Sequence, residues 1–203
     1  MVFSGILFSS FRKDSLRKYT GKTLEEVSKL RNQLPEDAAI DLTREDSSRI
    51  EAVYFMMTED NVKKQIKLPY MSFCSDAATM APEGNFLKFN PHPRAYGSFA
   101  RRLGKYVREE KVITLEQAIH GLTTLPATNL KIKKRGALKK DYYADVVIFD
   151  PATITDHATY AEPHQYATGM KHVFVNGVQV LKDGEHTGAT PGRVVNGPGW
   201  QKE

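Results

Sequence analysis

Asp76 stands at the end of a short apolar run, Met71-Ser72-Phe73-Cys74-Ser75, and a second run, Val53-Tyr54-Phe55-Met56-Met57, precedes it by one helix length. Between the runs, Thr58 can cap a helix that carries Glu59 and Asp60 in its first turn, pairs Val62 with Ile66 and stops before Pro69. Strand, helix and strand in this order predict a βαβ unit, whose two strands run parallel and end on one edge. Parallel α/β folds place their chemistry on that edge, so Met57 and Asp76 are expected to leave their strands there together. An aspartate so placed is a candidate proton carrier. The alternative is an Asp that caps a loop by accepting backbone N–H groups.

His92, within His92-Pro93-Arg94-Ala95-Tyr96-Gly97, lies in the long loop after Asp76. It either lines a pocket at the same edge or shapes a proline-rich loop. The six histidines include no pair separated by two or four residues, the spacings that metal pairs adopt. His120, His157, His164 and His172 therefore read as surface or packed residues. No Gly-x-Gly-x-x-Gly, Walker loop or Gly-x-Ser-x-Gly elbow occurs, so phosphate cradling and a serine triad have no support.

The elements that must position these residues come from 203 residues, 40% of them apolar and 26% charged, enough for a real core. Thr23 to Glu26 and Thr114 to Gln117 are capping boxes, opening helices with stripes at Leu24, Val27 and Leu30 and at Ala118, Ile119 and Leu122. Pro35 starts a further helix to about Glu45, and Phe99, Leu103 and Val107 mark one over 95–109. Beyond Leu130 the pattern turns to strands: Ala144 to Phe149, then His172 to Val175 and Val178 to Leu181 around Asn176-Gly177, a hairpin signal. The run Val2 to Phe8 reads as a buried strand, and Trp200 as an anchor for an irregular tail. The single cysteine, Cys74, excludes an intramolecular disulfide and is expected inside a buried strand. With no run long enough to span a membrane, a soluble cytoplasmic protein without membrane association is expected. The net charge of +5 is modest, and the basic stretch from Lys131 to Lys140 reads as a solvated loop rather than a nucleic-acid patch.

Phe73-Cys74-Ser75-Asp76, Ala81-Pro82-Glu83-Gly84, His92-Pro93-Arg94-Ala95-Tyr96-Gly97 and Gly104-Lys105-Tyr106-Val107-Arg108 resemble the carboxyl-terminal portion of the N-acyl-D-amino-acid deacylases, amidohydrolases also called D-aminoacylases. The likeness continues through Ala144-Asp145-Val146-Val147 and Glu185-His186-Thr187-Gly188. It implies an α/β fold: the carboxyl-terminal part of a TIM-like (β/α)8 metal-dependent hydrolase barrel over 1–130, then a share of a small β-sandwich and an irregular tail over 131–203. It implies Asp76 as the catalytic acid beside zinc, and a possible metal contact in a complete enzyme. Tyr54 and Met57 would line the substrate pocket, with Ser75 and His92 as neighbours. The family's other metal-ligand segments, a His-x-His pair among them, are missing from the chain, and a complete barrel takes about 250 residues. The expectation is a fragment or subunit of a zinc enzyme that hydrolyses N-acyl-D-amino acids, inactive and without bound metal alone. A complementing amino-terminal barrel fragment is its expected partner. The other reading is a non-catalytic partner-binding module or a degenerate remnant.

Overall fold

A computed structural model describes residues 2–200 of the chain. It is mixed α/β with two small sheets, and it divides into two compact units woven from separated segments.

The first unit takes in Met1–Glu59, Asp76–Tyr96 and His157–Tyr166. Strand β1 (Ile6–Ser10) pairs antiparallel with β2 (Glu51–Tyr54), with Leu7 opposite Val53. Helix α1 (Leu24–Arg31) starts on the expected capping box: Thr23 Oγ1 accepts the Glu26 N–H at 3.2 Å, and Glu26 Oε2 accepts the Thr23 N–H at 2.7 Å. Leu24 and Val27 are buried, whereas Leu30, expected in the same stripe, is 64% exposed. Helix α2 (Pro35–Asp46) buries Ala38 and Leu42, and these join Phe8, Phe11, Leu16 and Tyr19 in one apolar cluster.

The end of α2 carries a feature the sequence does not advertise. Asp46 is 1% exposed, and its carboxylate accepts the backbone N–H of Lys13 at 2.8 Å and of Arg12 at 3.2 Å, and the Ser48 hydroxyl. It thereby fixes the chain between β1 and the 3-10 turn Asp14–Tyr19.

The second unit takes in Asp60–Ser75, Gly97–Asp156 and Ala167–Glu203. Helix α3 (Glu59–Ile66) contributes the buried Ile66, and α4 (Arg94–Arg101) contributes Ala100. The expected helix over 95–109 continues from Arg102 to Glu109 as a π-helix. Leu103 and Tyr106 are buried there, with Ile113, Ala118 of α5 (Leu115–Leu122) and Ile154. The capping box at Thr114 forms as expected, and α6 (Thr124–Asn129) follows.

Strands β3 (Val146–Phe149), β4 (Met170–Val175), β5 (Val178–Lys182) and β6 (Glu185–His186) form an antiparallel sheet in chain order. Asn176 and Gly177 both have positive φ, 51° and 82°, as the tight hairpin between β4 and β5 requires. Arg135 staples that hairpin. Its guanidinium meets Asp145, donates to Asn176 Oδ1 at 2.6 Å and lies 4.2 Å from the Tyr143 ring centre. Arg135→Ala is expected to cost the chain about 2 kcal/mol in a urea unfolding titration, because it removes a charge-assisted pair together with a cation–π contact.

Five expectations are corrected. Met71–Ser75 is not a strand: its ladder is missing, and a parallel strand is stable only between hydrogen-bonded neighbours. One backbone bond, from the Phe73 N–H to the Gly121 carbonyl at 3.1 Å, holds its centre. The βαβ unit accordingly does not form among the described residues, and β2 runs antiparallel to β1. Cys74, outside any sheet, is exposed rather than buried. The strand expected from Val2 begins only at Ile6, after a 3-10 turn over Phe3–Gly5, and Trp200, expected as an anchor, is 57% exposed.

Candidate active site

Within the first unit a cleft of about 800 Å³ is lined by Tyr54, Met57, Asp76, His92 and Arg94, among others. Four residues singled out from the sequence thus share one cavity, although no parallel strand pair brings them there. Strand β2 delivers Tyr54 at its last position, and the irregular chain beyond it delivers Met57, both well exposed. Ser75 does not line the cleft; it is partly buried and belongs to the second unit.

Asp76 sits where the chain turns through a left-handed conformation, φ 48°, one that Asp tolerates better than most residues. Its side chain is 79% exposed, and Oδ2 lies 3.0 Å from Arg94 Nη2. The carboxylate therefore faces the cleft already engaged with a cation. An exposed pair of this kind is worth at most about 1 kcal/mol, so its release is cheap. Arg94 lay within the motif that carries the family resemblance, yet sequence reasoning gave it no role; the pairing becomes visible only once α4 places it across from Asp76.

His92 is fixed by two hydrogen bonds. Nδ1 accepts the Arg94 backbone N–H at 3.0 Å, and Nε2 lies 3.0 Å from Tyr160 Oη. A neutral ring that accepts at Nδ1 carries its proton on Nε2 and donates it to the tyrosine. Burial holds this imidazole below the ordinary value of 6.5, and the Arg94 charge pushes it the same way. Because the unfolded chain then binds the proton first, this contribution to stability is complete above pH 6.5 and declines as pH falls below it. Thermal melts of the wild-type chain between pH 8 and 5 should show that decline, and His92→Gln, which does not titrate, should lessen it.

His164, expected to be a bland surface residue, has a similar place. Nε2 donates to the Phe89 carbonyl at 2.8 Å and Nδ1 lies 3.5 Å from Tyr96 Oη. No sequence signal pointed to this, since each His–Tyr pair joins residues 68 apart.

Among the described residues, no group of three or more His, Cys, Asp and Glu could hold a metal ion. Residues 2–200 therefore do not fit a zinc ion on their own. No described helix is long and apolar enough to cross a membrane.

Residues 85–181 match the model of the amidohydrolase family. The chain is 42% identical over 145 residues to an N-acyl-D-aspartate deacylase of Alcaligenes xylosoxydans xylosoxydans, a span that takes in 71% of this chain. The resemblance read from the sequence holds: this chain is related to part of the N-acyl-D-amino-acid deacylases, which are amidohydrolases. A solved D-aminoacylase superposes with a TM-score of 0.81 at 33% identity, over 94% of this chain and 37% of that one. An N-acyl-D-glutamate deacylase from Bordetella bronchiseptica, solved with zinc and a phosphonate inhibitor that mimics the tetrahedral intermediate, gives 0.76 at 34% identity, over 91% of this chain and 37% of that one. The chain spans 28% of the length of the aspartate deacylase.

Proposed function

We propose that this chain supplies the proton-carrying carboxylate and part of the substrate pocket of a zinc-dependent amidohydrolase that cleaves N-acyl-D-amino acids. The observation that carries the reading is the cleft shared by Asp76, Tyr54, Met57 and His92 in a chain related to deacylases. Asp76 takes a proton from the attacking water and passes it to the amide nitrogen as the C–N bond breaks, leaving a carboxylate and a free amine. Asp76 must part from Arg94 to do this. Tyr54 and Met57 bound the acyl-amino-acid substrate. Metal ligands, and any metal contact of Asp76, require residues other than those described.

In this reading 1–130 belongs to a hydrolase barrel and 131–203 to a β-sandwich and its tail, both completed by a complementing segment. Support comes from the open apolar face at Tyr54, Phe55, Met56 and Met57, beside a sheet of only two strands. The same face favours the second reading, a partner-binding module without catalysis. The two are separated by assaying N-acetyl-D-amino acids with zinc. The chain alone is expected to be inactive, and a chimera in which it replaces the matching segment of the Alcaligenes enzyme is expected to be active. A folded, zinc-loaded but inactive chimera would favour the binding module.

A further inference from the structure

The segment 157–166 returns to the first unit far along the chain from the cleft, and its contacts there are chemical as well as apolar. Tyr160 Oη is 3.0 Å from His92 Nε2, with the two rings nearly perpendicular at 79° and 5.1 Å between centres. The same tyrosine ring packs edge-on against Phe55, 4.8 Å between centres, just beyond the last residue of β2. His92 in turn accepts the Arg94 N–H at the first position of α4, and the Ala95 N–H bonds to the His92 carbonyl at 3.0 Å. Arg94 then reaches Asp76. One tyrosine thus ties the exit of β2 to the start of the helix that aims the arginine.

We propose that Tyr160 is a positioning residue of the Asp76 site: by holding His92 Nε2 it fixes the imidazole whose Nδ1 holds the Arg94 backbone, and so sets where the guanidinium meets the carboxylate. The assignment deepens the deacylase reading and depends on it for its catalytic meaning, but the geometry it asserts belongs to this chain alone. An imidazole anchored at one nitrogen only is free to turn or to exchange tautomers; anchored at both, it presents Nδ1 as a fixed acceptor. Packing of the Tyr160 ring on Phe55 supplies the rigidity, and the hydroxyl supplies the direction.

The test uses the full chain and nuclear magnetic resonance. Tyr160→Phe keeps the ring and removes the hydroxyl. In the wild-type chain the His92 nitrogens should report a single tautomer with the proton on Nε2; in Tyr160→Phe they should report a mixture. Exchange of the Arg94 backbone amide should quicken roughly two- to tenfold, the equivalent of one neutral hydrogen bond. In a His92→Asn background, where an amide oxygen can still accept from Arg94 but the shorter side chain at 92 no longer reaches Tyr160, the same Tyr160→Phe change should be silent. Unchanged His92 shifts and Arg94 exchange in Tyr160→Phe would overturn the proposal, as would an effect of equal size in the His92→Asn background. These readouts need no turnover, so an inactive chimera would count against the deacylase reading while leaving the positioning role standing.

Discussion

Asp76→Asn, built into the chimera with the Alcaligenes deacylase, is expected to lower kcat by about 10²–10⁴-fold while KM changes little. Asparagine has nearly the size of aspartate and still offers an oxygen to Arg94, so the cleft should keep its shape. What it lacks is the ability to take a proton from water and return it to the departing nitrogen. A loss confined to the transition state lowers kcat and kcat/KM together. Asp76→Glu, whose carboxylate is displaced by one methylene, should fall between the two. A rise in KM with kcat intact would instead make Asp76 a ground-state contact of the substrate.

A large stability effect is expected away from the cleft, at Asp46. Asp46→Ala should destabilise the chain by about 2 kcal/mol, read from urea unfolding, because it leaves two part-buried backbone N–H groups without their acceptor. Burial by itself raises the affinity of this carboxyl for a proton. The bonds from the Lys13 N–H, the Ser48 hydroxyl and the Arg12 N–H outweigh it and hold the group below the ordinary value near 3.8. The unfolded chain therefore binds the proton first. Asp46 contributes its full stability above about pH 3.8, and the contribution drains away as pH falls further toward the folded value. Asp46→Ala should show less loss than the wild type over that interval.

Local signals were legible and long-range ones were not. The capping boxes at Thr23 and Thr114 and the Asn176-Gly177 hairpin formed as read, because each depends on residues within three or four positions of one another. The apolar run before Asp76 failed as a strand because strandness in a parallel sheet is conferred by neighbours, which no run of five residues encodes. Cys74 followed it out of the core. The stripe read at Phe99, Leu103 and Val107 has the spacing of an ordinary helix, and nothing in it distinguishes the π-helix that runs from Arg102 to Glu109. In the cleft, Asp76, Tyr54, Met57 and His92 could be found from motif and position. Arg94, Tyr160 and His164 could not be given roles, since what matters in each is a partner 18 or 68 to 75 positions away.

A comparison of two substrates in one chimera tests most directly whether Asp76 carries the proton of amide cleavage. An N-acyl-D-amino acid must have its leaving nitrogen protonated, whereas an activated aryl ester analogue releases its leaving group without a proton. If Asp76 delivers that proton, Asp76→Asn should cost the amide at least about tenfold more in kcat/KM than the ester. Equal losses on both substrates would contradict delivery of that proton to the nitrogen and leave Asp76 acting on the attacking water alone; no loss on either would leave it a carboxylate that merely shapes the cleft.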